Sequence, residues 1–113
     1  MKLTEITYGE QPPVDSYGPG FFRVAGEVHE ADLLVSEAGL AHFEGDYAAL
    51  DAAAFDILLI GTGADIAQIP SDARTALTEQ GIAFELMATP AAARTYNVLL
   101  SEGRRVAALL LRV

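Results

Sequence analysis

The sequence predicts an α/β domain near the α+β boundary, on three observations. Its second half alternates buried-strand runs with helical patterns in the order strand–helix–strand–helix–strand, which argues for a sheet layer with right-handed crossovers. Its first half is a series of short β-prone runs broken by glycine, which reads as antiparallel hairpins. A length of 113 residues, with 51% hydrophobic and 20% charged side chains, suits one domain over residues 1–113 with a sizeable core.

Taken in order, Leu3, Ile6 and Tyr8 mark a short extended run ending at Gly9. The next stretch, "QPPVDSYGPG", is too rich in proline and glycine for a regular ladder and is expected to be a loop. Three β-prone runs follow, Phe21 to Ala25, Val28 to Ser36 and Leu40 to Glu44. In the third, alternation puts Leu40 and His42 on one side and Ala41 and Phe43 on the other. Asp46 is placed to cap a short helix carrying Tyr47, Leu50 and Ala54, and "FDILLIG" is a buried strand ending in glycine. Ser71 is expected to cap the helix "DARTALTEQ", whose Ala73, Ala76 and Leu77 form an apolar stripe and whose left-handed C-terminal cap falls on Gly81. After a strand from Ile82 to Met87, Thr89-Pro90 is a helix start, with threonine as cap and proline at the first helical position. That helix runs to Gly103, and "VAALLL" is the last strand.

Charge and composition remove several functions. Net charge is −9 and Lys2 is the only lysine, so no electrostatic path for nucleic acid or an anionic membrane surface is expected. The absence of cysteine excludes disulfides, thiolate nucleophiles and cysteine-based metal or iron–sulfur sites. "MKLTEITYGE" has no apolar run of the kind a secretory signal carries, and Val106 to Leu111 is far short of the roughly 20 residues of a membrane span, so a cytoplasmic location is expected.

"LLIGTGADI" is the stretch most suggestive of chemistry. A dinucleotide fingerprint needs three glycines; Gly61 and Gly63 match two, while Ile66 occupies the third place and too little chain surrounds the loop for a full dinucleotide fold. No GK[ST] follows, which excludes the ATP-binding loop. If the strands before and after "DARTALTEQ" are parallel neighbours, Gly61, Thr62 and Gly63 emerge beside the Thr89-Pro90 helix start at the edge where α/β sheets bind ligands. A crevice is expected there, with Thr89, Arg94 and Asn97 on its other wall and a small anion or carboxylate as its ligand. The competing reading is that the glycines only permit a tight turn and Arg94 is a solvated surface residue.

The remaining polar residues suggest little chemistry. His29 and His42, the only histidines, offer at most two metal ligands with Glu44 beside His42, so no metal or other cofactor is expected and both read as exposed strand residues. Ser16, Ser36, Ser71 and Ser101 sit in no nucleophile elbow, and no catalytic residue is assigned. Tyr96 and Asn97 are poor helix-interior choices unless partnered; they either line the crevice or tie down a loop, Asn97 through backbone and Tyr96 by packing its ring while its hydroxyl reaches water.

Taken together, "LLIGTGAD", "IPSDARTALTEQGIAFELM" and "TPAAARTYNVLLSEGRRVAALLL" resemble the Mth938-like family, over nearly the whole chain. The resemblance implies a three-layer fold in which a mixed central sheet carries helices on one side and additional antiparallel β-structure on the other. It implies no established reaction, and one relative is a mitochondrial complex I assembly factor. The matching motif positions are Gly61, Thr62, Gly63, Arg94, Thr95, Tyr96, Asn97, Gly103 and Arg104. Many bacterial relatives have Asp where this chain has Ala88 and Cys where it has Ala93, and a tryptophan-containing segment is replaced here by "LAHFEGDY". The leading expectation is a non-enzymatic protein-binding or assembly-type module whose acidic surface favours a basic partner, with self-association as a further prospect. The alternative is a small-anion or carboxylate-binding protein, or an enzyme, that uses the crevice.

Overall fold

The computed structural model describes residues 11–113; the extended run expected at Leu3 to Tyr8 lies outside them. A three-stranded antiparallel sheet is built from β1 (Val14–Gly18), β2 (Phe21–Val24) and β3 (Glu27–His29), in the order β1-β2-β3. The central sheet has five strands, β4 (Leu33–Ser36), β5 (Gly39–His42), β6 (Ile57–Gly61), β7 (Phe84–Met87) and β8 (Val106–Leu110), in the order β5-β4-β8-β6-β7. Strands β6, β7 and β8 are parallel, whereas β4 runs antiparallel to both β5 and β8, so the sheet is mixed as expected. The helices are α1 (Ser71–Glu79) and α2 (Thr89–Ser101).

Beyond shifts of one or two residues at other strand ends, two stretches differ from the sequence reading. Val14–Gly18 is a strand where a loop was expected. Its prolines flank the ladder instead of interrupting it, its register slips between Val14 and Ser16, and Asn97 of α2 holds the Val14 backbone. That tertiary partner, 83 residues away, leaves no local trace in the sequence. The single run expected from Val28 to Ser36 is two strands in different sheets, β3 and β4, divided at residues 30–32, where the Asp32 carboxylate accepts the backbone N–H of Arg112 at 2.8 Å.

The expected helix after Asp46 is instead two 3-10 turns, Tyr47–Ala49 and Ala52–Ala54; Asp46 makes no cap bond, and Asp51 caps the second turn by accepting from the Ala53 N–H at 3.0 Å. Neither α-helix is capped by the hydroxyl expected. Ser71 and Thr89 are the first helical residues, preceded by Pro70 and Ala88, and neither helix has a side-chain cap bond. The expected C-terminal glycines are in place, with positive φ at Gly81 and Gly103.

The mixed α/β class stands, but the layers are arranged differently from the one-sided placement of helices. Inward residues Ala73 and Leu77 of α1 join Leu58, Ile60, Ala107 and Leu109 in one core, below the 3-10 turns. Ala92, Ala93 and Tyr96 of α2 join Leu59, Val106, Ala108, Leu110 and the inner side of the small sheet, Val14, Phe22 and Val24, in a second core on the opposite face. The strand order explains this. The chain crosses from β6 to β7 in one direction and from β7 back past β6 to β8 in the other, and right-handed crossovers in opposite directions place their helices on opposite faces. Strand β8, covered on both faces, is buried at all five residues, which is why it reads as an unbroken apolar run.

Candidate functional site

The reversal of crossover direction makes the carboxyl ends of β6 and β8 a topological switch point, where an open α/β sheet usually leaves a ligand crevice. Gly61, Thr62, Gly63 and Thr89 do converge there, but they fill the gap. Thr89 is wholly buried. Its hydroxyl donates to the Leu111 carbonyl at 2.7 Å and accepts the Gly63 N–H at 2.9 Å, while its own N–H donates to the Gly63 carbonyl at 2.8 Å. The hydroxyl expected to cap a helix therefore joins three chain segments.

The glycines follow from this closure. A Cβ on Gly61 would lie 2.7 Å from the Thr89 hydroxyl and 2.8 Å from its Cα, so only a hydrogen allows helix and strand to come this close. Gly63 has φ 106, a conformation that side chains rarely adopt. Thr62 closes the loop beyond: its N–H donates to Met87 at 2.9 Å, its hydroxyl donates to the Asp65 carbonyl at 2.9 Å, and it accepts the Ala67 N–H at 2.8 Å.

Arg94 and Asn97 do not join this group. They line, with Asp15 and Tyr17, an open depression of about 240 Å³ between β1 and α2. The Asn97 amide is taken up by Val14, accepting its N–H and donating to its carbonyl, both at 2.8 Å. Tyr96 is fully buried rather than open to water, donating to the Pro12 carbonyl at 2.6 Å and accepting from the Gln11 amide at 3.2 Å. Burial pushes its phenol up to about 12, against the smaller opposing effect of the Gln11 bond. Tyr96 and Asn97 thus moor the segment leading into β1.

The rest of the motif divides similarly. Thr95 is half-buried, and Gly103 and Arg104 lie exposed beyond α2. The arginine that binds across the structure is its neighbour, Arg105, which the sequence reading did not single out. It contacts Glu37 at 3.0 Å and Asp56 at 2.9 Å and donates to the Ala53 carbonyl, tying the β4–β5 turn to the segment entering β6. Its hydrogen bond holds the Glu37 carboxyl below the usual range, and Glu37 with Asp56 raises the guanidinium. Pairing across three segments is a tertiary outcome that adjacent arginines do not signal.

The histidines correct an expectation. His29 is only 5% exposed, and its Nδ1 lies 3.0 Å from Nε2 of His42, so one ring donates to the other and β3 is joined to β5. Nε2 of His29 is buried without a partner. Burial holds His29 below the ordinary imidazole value, helped by His42 and opposed by Glu27. Among the described residues, no group of three or more His, Cys, Asp or Glu side chains is assembled to hold a metal.

A mixed central sheet, a second antiparallel sheet and two helices make this a small α/β domain of the Mth938-like kind. A profile for proteins of unknown function (DUF498/DUF598) matches residues 14–111, and the chain belongs to that family. An uncharacterised protein of Rhodobacter capsulatus is 52% identical over 103 residues, 88% of this chain and 83% of that one. A crystal structure from Bartonella henselae, described as that of an outer membrane protein, superposes with a TM-score of 0.81 at 33% identity, covering 95% of this chain and 99% of the other. A Mth938-like domain of Bordetella pertussis superposes with a TM-score of 0.71 at 26% identity, covering 99% and 92%.

Proposed function

We propose that the chain is a non-enzymatic protein-binding module of the assembly-factor type, acting on a partner with a basic surface. The observation that carries this reading is the filled switch point: where an α/β sheet would ordinarily receive a small ligand, the buried Thr89 hydroxyl bonds to Gly63 and Leu111 of the chain itself. A net charge of −9 supports a basic partner, since complementary charge steers encounter and selects partners. Native mass spectrometry of the tagged chain from its source organism tests the proposal. The expected result is a stoichiometric complex with a different protein, weakened as salt is raised; a free chain or a homo-oligomer alone overturns it.

The small-anion reading is the weaker one and rests on exposed Arg94 beside the depression between β1 and α2. A thermal-shift screen with phosphate, nucleotides and small carboxylates tests it, because a ligand at about a hundred times its dissociation constant stabilises by about 2.7 kcal/mol. Loss of any shift in Arg94→Ala would support this reading, and no shift in the wild type ends it. We place the protein in the cytoplasm; among the described residues no helix is long and apolar enough to cross a membrane. Because the Bartonella relative is described as an outer membrane protein, cell fractionation is the direct check, and recovery in the outer-membrane fraction overturns this placement.

A further inference from the structure

We infer that the trough between the β4–β5 face and the 3-10 turns is where a partner docks, and that the docking segment is an amphipathic helix with apolar anchors and basic flanks. The inference rests on the protein-binding reading and gives it a place. An α/β sheet normally has its faces covered by packed elements, and here the cover is uneven. On the face that carries α1, that helix lies in the β6–β7 crossover and reaches the β7 end, where the Arg74 guanidinium lies 5.4 Å over the Phe84 ring. At the opposite end of the same face, two depressions of about 290 and 380 Å³ share Leu34, Ala41 and Ala49, so they form one trough, and no residue of α1 or α2 lines either. Leu34 and Ala41 are register partners in β4 and β5, and both stay half-exposed, although Leu34 pairs on its other side with wholly buried Leu109. An apolar floor is thus left where one more helix would complete the layer.

The build of β5 selects the kind of segment. Leu40 is wholly buried, so the strand offers no open ladder and a partner must bind through its side chains. An extended segment laid over the floor would leave its own N–H and C=O groups unpaired against apolar surface, which is costly, whereas a helix bonds its backbone internally and presents apolar side chains one turn apart. Two adjoining depressions suit two such anchors, the arrangement of an amphipathic helix in a groove. Charge selects the flanks. Glu44 and Asp46 line the larger depression and Asp51 the smaller; all three are exposed, and no lysine or arginine lines either. Arg105, which reaches the β4–β5 turn, is held by Glu37 and Asp56. Lysine or arginine on both sides of the anchors therefore meets carboxylate. A second copy of this chain fits poorly, since it brings its own net charge of −9 to an acidic rim. Gln11 is bonded on the other face of the sheet, where it donates to the Tyr96 hydroxyl and the Val106 carbonyl.

The test uses the full isotope-labelled chain, titrated with a synthetic helical peptide that carries leucines one turn apart and lysines on both sides of them, and followed by amide NMR. The expected result is perturbation centred on Leu34, Ala41, Ala49 and Asp51, lost when the peptide leucines are replaced by serine and lost again when a central proline breaks its helix. Substituting Glu44→Gln, Asp46→Asn and Asp51→Asn together should weaken binding about tenfold at low salt. Ala49→Arg, at an exposed position on the trough, should abolish binding while leaving distant amides unmoved. Equal binding by the serine or the proline peptide, indifference to Ala49→Arg, or no perturbation at millimolar peptide overturns the inference. So does binding that emerges only when residues 1–10 are deleted, which makes them the occupant, and so does concentration-dependent self-association through the same amides. A native partner retained equally by wild type and Ala49→Arg overturns this surface but leaves the protein-binding reading standing; failure to recover any partner counts against that reading and leaves the peptide result to decide the surface.

Discussion

The carboxyl ends of β6 and β8 and the trough between β5 and the 3-10 turns lie on one sheet but treat their polar groups in opposite ways. At the first, the N–H of Gly63, the N–H and hydroxyl of Thr89 and the carbonyls of Gly61, Gly63 and Leu111 all bond within the chain. At the second, the exposed carboxylates of Glu44, Asp46 and Asp51 stand beside an apolar floor that includes Leu34, Ala41 and Ala49. Topology alone favours ligand binding at the first, yet one buried threonine makes it a structural joint. Where a fold usually binds is thus a weaker guide than which polar groups are already satisfied.

Substitutions at the joint should cost stability, and substitutions at the trough should not. The largest loss is expected for Thr89→Val, which leaves the Gly63 N–H and Leu111 carbonyl without their partner; two buried unsatisfied groups cost about 3 kcal/mol in all, measured by urea unfolding. Gly61→Ala should follow at about 2 kcal/mol, since the added methyl meets backbone as well as the hydroxyl of Thr89. Ala88→Asp should act in the opposite direction, raising stability by about 1 kcal/mol, because Ala88 occupies the N-cap of α2 in extended conformation without a side-chain acceptor. By contrast Asp46→Asn at the trough should stay within about 0.5 kcal/mol of wild type. A loss there as large as at Thr89 would erase the distinction between the two regions.

The histidine pair beside β5 sharpens the comparison through pH. His29 is held below the ordinary imidazole value in the folded chain, so the unfolded chain takes up its proton first as pH falls. The contribution of this group is full above the unfolded value of 6.5 and declines as pH drops from there through the lower folded value. Urea midpoints at neutral and mildly acid pH should therefore show a loss in the wild type that is smaller in His29→Leu. Equal losses would show that the pair does not govern the acid response.

The parts legible in the sequence are those governed by local rules. The parallel strands announce themselves as apolar runs, and Gly81 and Gly103 mark the helix ends by their positive φ. Gly61 and Gly63 were legible as a turn off a buried strand, but the closure of the expected crevice was not, because it depends on Thr89 reaching Leu111, 22 residues on. The same limit hid β1, whose first residue is held by Asn97, and the burial of His29 against His42. Helix placement was recoverable only from strand order, since β8 returns past β6 to the middle of the sheet.

That central place of β8 has a consequence for biosynthesis. Val106–Leu110 follows every other strand among the described residues yet separates the β4–β5 hairpin from the β6–β7 pair. On the ribosome, both halves would emerge with apolar faces and unpaired edges and would have to wait until Leu110 cleared the exit tunnel before closing over them. Closure of the central sheet would then wait for β8, the strand that joins its two halves.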